Sequence, residues 1–160
     1  MIPAVCVVGK SGVGKTTVIE RLVAELKKRG YRVASIKHNV HGFDIDHEGK
    51  DTWRYAQAGS DMVAIGSPQK LAIIRKVDHD HTLAELQRFI GPDYDIIMAE
   101  GFKQEQAPKI EVHRKELGPD LVSTKEELLA VATDEALKID IPQYKLDDAR
   151  GMVDLIEKRF

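Results

Sequence analysis

The segment Gly9-Lys10-Ser11-Gly12-Val13-Gly14-Lys15-Thr16 constrains this chain more than any other. Ahead of it runs Ala4-Val5-Cys6-Val7-Val8, continuously apolar, as a strand buried on both faces would be. Behind it Val18, Ile19, Leu22, Val23 and Leu26 recur at helical spacing, and Lys27-Lys28-Arg29-Gly30 supplies a basic last turn and a glycine stop. Glycines between a buried strand and a helix start let successive backbone N–H groups turn inward around a phosphate, where side chains would block the approach. The spacing G-x-x-x-x-G-K-[ST] adds Lys15 to reach β and γ phosphates, the Thr16 hydroxyl to complete a Mg²⁺ shell, and the positive end of a helix dipole. The whole run Gly9 to Thr16 is thus a candidate nucleotide-binding loop, which sets the chain among P-loop NTPase-type folds.

The rest of the chain fits around that unit. Arg32 to Lys37 reads as a second strand, and so short a crossover makes the two strands parallel, hence α/β. Asn39 to Lys50 is a polar loop long enough to carry function. Asp51 to Ala58 suits a helix closed by Gly59, and Met62 to Gly66 with Leu71 to Lys76 suit a β-hairpin around Ser67-Pro68-Gln69-Lys70. Thr82 with Glu85 forms a capping box before a helix with Leu83, Leu86, Phe89 and Ile90 inward. Ile96 to Ala99, Lys109 to His113 and Leu128 to Thr133 are strands, and Asp147 or Asp148 caps a last helix burying Met152, Val153, Ile156 and Phe160. The expected architecture is one domain over 1–160, a mostly parallel sheet with helices on both faces and a β-hairpin extension.

Composition narrows the function. With 24 Lys+Arg against 26 Asp+Glu and a net charge of −2, the chain lacks the basic excess of a protein that coats nucleic acid. No run approaches the roughly 18 apolar residues of a membrane span, and no targeting segment is visible, so a cytoplasmic protein without membrane or nucleic-acid partners is expected. The single Cys6 lies in the first strand and reads as a small buried hydrophobe.

A phosphate loop needs an acid near Mg²⁺ at the end of a neighbouring strand. Glu100, ending Ile96 to Ala99 and followed by Gly101, falls at the ligand edge of the sheet, whereas Asp95 opens that strand and belongs at the opposite edge. Asp46, and less so Asp44, sits in the polar loop where a segment could reach Mg²⁺ or water. His38, His41 and His47 match no tight metal-ligand spacing, and His38 suits a phosphate or backbone contact.

Ser35-Ile36-Lys37-His38, Asp44-Ile45-Asp46-His47-Glu48-Gly49-Lys50-Asp51 and Ala99-Glu100-Gly101-Phe102-Lys103, in this order after the phosphate loop, resemble the molybdopterin-guanine dinucleotide biosynthesis adapter family, MobB. The resemblance spans essentially the whole chain. It implies a GTP-binding, weakly GTP-hydrolysing homodimer that assists the guanylyltransferase joining GMP to molybdopterin, alongside molybdopterin-handling enzymes. It would place Gly12, Gly14, Lys15, Thr16 and Thr17 on phosphates, Thr16 on Mg²⁺, and Asp46 and Glu100 near the metal and the attacking water. Gly101 would approach the γ-phosphate, and Lys103 an anionic partner or the pterin phosphate. Lys10 resembles the extra lysine of deviant Walker A loops, which acts across a nucleotide-bridged dimer, with Ser11 where a glycine is usual.

The guanine-reading N-K-x-D is absent, since the only Asn is Asn39. Asp134, after the strand ending Ala132-Thr133, could instead accept from the guanine edge. The residues themselves leave GTP and ATP undecided, and the resemblance selects GTP. Two other readings stand beside the accessory GTPase: a small-molecule kinase, weakened by scattered arginines, and a binding module in which hydrolysis is incidental. For the last, the hairpin with Ile65 and Ile73 is a candidate dimer or partner surface.

Overall fold

A computed structural model describes residues 2–160. In chain order the elements are β1 (Ala4–Gly9), α1 (Lys15–Lys28), β2 (Val33–Lys37), α2 (Asp51–Gln57), β3 (Met62–Ser67), β4 (Lys70–Arg75), α3 (Leu83–Ile90), β5 (Ile96–Glu100), β6 (Lys109–His113), β7 (Leu128–Thr133), β8 (Gln143–Lys145) and α4 (Ala149–Arg159). They gather into two compact units: the described residues up to His38 with Thr82–Phe160, and Asn39–His81.

The larger unit holds a six-stranded sheet in the order β2-β5-β1-β6-β7-β8, every neighbouring pair parallel. This is the expected α/β architecture. Alternation along β1 sends Val5 and Val7 to one face and Ala4, Cys6 and Val8 to the other, so one apolar run feeds two cores. On the first face α1 and α4 lay Val18, Leu22, Leu26, Met152 and Ile156 against Met98, Ile110 and Val112. On the second, Leu83 of α3 and Phe102 pack with Ile97 and Ala99. Burial pushes the Cys6 thiol up to about 11, with Lys109 opposing and Glu105 adding to the shift.

Two core expectations fail for geometric reasons. Phe89 is 60% exposed because at about 100° per residue it falls well off the stripe shared by Leu83, Leu86 and Ile90. Phe160 is 56% exposed, since it stands beyond the last turn of α4. The expected caps form: Thr82 and Glu85 complete their capping box, and the Asp148 carboxylate accepts from the Gly151 amide at 2.9 Å.

Strand β6 carries an unexpected polar face. Lys109, Glu111 and His113 are all buried, each with partners. Lys109 pairs with Glu127, whose carboxyl it holds below the usual range; Glu111 accepts from the amides of Val122 and Ser123 at 2.7 and 3.0 Å. His113 Nδ1 lies 3.1 Å from Thr133 Oγ1, and Nε2 3.0 Å from the Gly118 carbonyl. Satisfied in this way, the column lets loop segments cover the sheet without orphaned charges.

In the smaller unit, β3 and β4 pair antiparallel as a sheet of their own, so the hairpin does not extend the six-stranded sheet. The register sets Val63, Ile65, Ala72 and Ile74 on one face and Met62, Ala64, Leu71 and Ile73 on the other. Among the described residues no helix is long and apolar enough to cross a membrane.

At the amino edge of the large sheet Asp95 accepts from the Arg32 amide at 2.7 Å and from its guanidinium at 2.8 Å. Those contacts hold its carboxyl at about 2. A carboxyl depressed on folding stabilises above its unfolded value and loses that contribution as pH falls through the folded one. Asp95→Asn should therefore lower the melting temperature modestly at pH 7, with the difference from wild type shrinking between about pH 4 and pH 2; a pH series of thermal melts checks this.

Candidate functional site

All six strands of the large sheet end along one edge, so Gly9, Lys37, Glu100, His113 and Thr133 finish side by side. The glycine loop leaves β1 at this edge. Gly9 has φ 142°, and a Cβ there would stand 2.5 Å from the Val112 carbonyl oxygen of β6, so this position tolerates no side chain. Gly14, in left-handed conformation, opens α1 with no side-chain cap. The first-turn N–H groups of α1 are thereby left for an anion.

Lys15 donates to the carbonyls of Lys10 at 2.9 Å and Gly9 at 3.4 Å. Burial holds its ammonium below the usual lysine range; Glu100 opposes that shift, and Lys103 and Lys37 reinforce it. Thr16 Oγ1 donates to Glu100 Oε2 at 2.9 Å, and Glu100 Oε1 lies 3.7 Å from Lys37 Nζ. Two of the three residues expected at a metal, Thr16 and Glu100, are thus in contact across a sequence separation of 84.

The turn after Glu100 is tightly specified. Gly101 takes φ 93°, a Cβ there would sit 3.4 Å from that of His38, and its amide donates to the Val7 carbonyl at 3.1 Å. Phe102 is the one non-glycine described residue with positive φ, at 56°. Such a conformation costs about 1 kcal/mol or more and persists only where surroundings impose it. Here Phe102 is buried, and its ring stacks on His38 at 4.7 Å. The His38 amide donates to the Glu100 carbonyl at 3.0 Å, continuing the β2–β5 pairing.

On the other side of β1, Asp134 follows β7. Its Oδ1 accepts from the Lys115 amide at 2.9 Å, and Oδ2 lies 3.7 Å from Arg114 Nη1. Arg114 Nε donates to the Val13 carbonyl at 3.4 Å. Arg21, Arg114, Asp134, Tyr144 and Lys145 line a cavity of about 710 Å³ beside the loop. Lys10 Nζ donates to the Leu117 carbonyl of its own chain at 2.7 Å. Ser11, Gly12, Thr16 and Thr17 are exposed along the loop, and Lys103 is exposed beyond Phe102.

In the smaller unit, Asp46 Oδ1 accepts from the His47 amide at 2.8 Å and Thr52 Oγ1 at 3.1 Å. Its Oδ2 is buried and has no hydrogen-bond partner. Asp44 is exposed. Among the described residues no three His, Cys, Asp or Glu are grouped to hold a metal.

Arg114, Lys37 and Tyr144 escaped the sequence reading as site residues. Arg114 and Tyr144 belong to no recognisable motif and arrive through strand order, whereas Lys37 lies in the Ser35–His38 segment but was given no role of its own there. For Arg114 a signal existed: it directly follows a strand, the rule that singled out Glu100.

A family model described as molybdopterin guanine dinucleotide synthesis protein B, MobB, matches residues 4–134. The molybdopterin-guanine dinucleotide biosynthesis adapter protein of Haemophilus influenzae is 40% identical over 157 residues, covering 98% of this chain and 88% of its own. The protein of that name from Escherichia coli is 33% identical, with 98% and 92% covered. Among solved structures, a molybdopterin-guanine biosynthesis protein B (mobB) superposes with a TM-score of 0.79 at 29% identity, covering 98% and 99% of the two chains.

Gly9→Ala should destabilise the protein by at least about 2 kcal/mol, because both the contact with Val112 and the backbone angle must give way. Denaturant unfolding of the variant beside Gly12→Ala, where a Cβ meets nothing within 4 Å, isolates the steric part.

Proposed function

This chain belongs to the MobB family and acts as an adapter in molybdopterin guanine dinucleotide biosynthesis, and we propose that it does so by binding GTP with Mg²⁺, hydrolysing it slowly and assisting the guanylyltransferase that joins GMP to molybdopterin. The observation that carries the nucleotide reading is the Thr16–Glu100 contact at the mouth of an uncapped glycine loop. Two hard oxygen donors 2.9 Å apart beside Lys15 suit Mg²⁺; Thr16 and Glu100 would hold it, and it would supply positive charge against the phosphates. In this reading Gly12, Gly14, Lys15, Thr16 and Thr17 hold phosphates, and Gly101 lets the backbone approach the last of them. In the smaller unit, the buried Oδ2 of Asp46 has no hydrogen-bond partner and is the kind of atom a cation or ordered water completes.

Asp134 supports guanine. A carboxylate accepts from the N1–H and 2-amino group of guanine, while adenine turns an acceptor nitrogen toward it. The cavity lined by Asp134, Tyr144 and Arg114 lies on the carboxyl side of the sheet, where α/β folds take their ligands.

We read the protein as a homodimer through the hairpin. Met62, Leu71 and Ile73 lie on one face of it and are 56%, 68% and 52% exposed, a contiguous apolar surface of the kind that marks interfaces. A Lys10 acting across that dimer must first leave the Leu117 carbonyl.

A Mg²⁺-dependent titration of fluorescent GTP and ATP tests the nucleotide reading. Wild type should prefer GTP, and Lys15→Ala should weaken it by roughly 100-fold. Asp134→Asn should turn the preference from GTP to XTP, since the amide pairs with a xanthine edge. Equal binding of ATP would remove the guanine link and restore the kinase reading. For the dimer, Ile73→Lys should yield monomers in sedimentation while Ile65→Lys, on the opposite hairpin face, should not; a dimer surviving Ile73→Lys refutes this interface.

A further inference from the structure

The cavity beside the phosphate loop contains a guanidinium that no motif accounts for. Arg114 comes directly after β6, whose end is pinned by the two His113 contacts, so the backbone sets where the arginine starts. Two of its nitrogens have partners, and the third lies beside Gly14. Nε donates to the Val13 carbonyl at 3.4 Å, Nη1 lies 3.7 Å from Asp134 Oδ2, and Nη2 lies 3.7 Å from where a Cβ on Gly14 would stand. Val13 and Gly14 belong to the phosphate loop; Asp134 is the carboxylate read above as the guanine acceptor.

Both contacts are long. The Arg114 and Asp134 side chains are 39% and 37% exposed, so water screens their attraction and the pairing is readily exchanged. Asp134 keeps its Oδ1 on the Lys115 amide, which leaves Oδ2 as the oxygen shared with the guanidinium. A lysine could offer one point charge here, whereas the planar fork of an arginine holds a carboxylate on one edge and a phosphate oxygen on another.

We propose that Arg114 is a phosphate ligand whose availability the base controls, the guanidinium passing from Asp134 to the phosphates next to Gly14 when the N1–H and 2-amino edge of guanine takes Asp134. The inference rests on the GTP reading and adds a coupling between its two ends. In the pose that brings guanine N1–H and the 2-amino group to Asp134, adenine turns its N1 acceptor and C2–H toward the carboxylate and its 6-amino group away, so the carboxylate keeps its arginine and the phosphates lose one ligand. Discrimination between bases is then read partly at the phosphates, and the two ends of the nucleotide bind cooperatively.

The test is calorimetric titration of the full chain with GTP, ATP and guanosine, the nucleoside followed by competition where weak. Wild type, Arg114→Ala, Arg114→Lys, Asp134→Asn and the Arg114→Ala/Asp134→Asn double variant are compared. Arg114→Ala should weaken GTP by about 10- to 100-fold, the range of a charge-assisted hydrogen bond, and guanosine and ATP by less than about 3-fold. Arg114→Lys should not restore GTP affinity. In the double variant the losses for GTP should fall short of the product of the single losses, since both break one linkage. Melting temperatures near wild type confirm that the folds compared are the same. Equal weakening of GTP and guanosine, equal weakening of GTP and ATP, rescue by lysine, or losses that multiply would each overturn the proposal. Absence of Lys15-dependent GTP binding in wild type would remove the nucleotide reading and this inference with it. GTP binding indifferent to Arg114→Ala removes this inference alone.

Discussion

The carboxyl edge of the large sheet depends on the close approach of β1 to β6 at Gly9. The Val112 carbonyl occupies the space of a Cβ, and the backbone takes an angle that side chains avoid. Because β1 is the central member of β5-β1-β6, everything that reaches the loop does so from the ends of those neighbours. Glu100 arrives from one side and Arg114 from the other. Parallel pairing is what makes this convergence possible, since it puts all six strand ends, and the turns that follow them, at the same edge.

That edge mixes charge on a short length scale. Lys15, Lys37 and Lys103 crowd one side around Glu100, and their mutual repulsion adds to the burial that lowers Lys15. Arg114 and Asp134 stand on the other. A cluster of cations with few carboxylates suits an anionic ligand. The family assignment and the site chemistry rest on separate observations: similarity over nearly the whole chain, and the geometry of strand ends.

Some of this was legible in one dimension. The glycine loop, its flanking strand and helix, the capping box at Thr82 and the strand closing on Glu100 are each written in a window shorter than about 15 residues, where periodicity and turn chemistry suffice. The Thr16–Glu100 pair was legible too, because strand ends in a parallel sheet share an edge. Phe89 and Phe160 misled, since hydrophobicity without angular position does not establish burial. The edge strand β8 was missed because only Tyr144 of its three residues is even partly buried, which leaves no alternation to detect.

The sequence by itself determined the glycine loop, the α/β alternation, the acid opposite the loop threonine and the family resemblance, because each depends on neighbours along the chain or on the order of a few short segments. Only the tertiary structure decided which distant strand stands beside which. It set the buried Lys109–Glu111–His113 face, the opposite placement of Ile65 and Ile73, and the meeting of Arg114 with both Val13 and Asp134. Strand order and register arise from packing two faces of a whole sheet at once, and no local pattern encodes that sum.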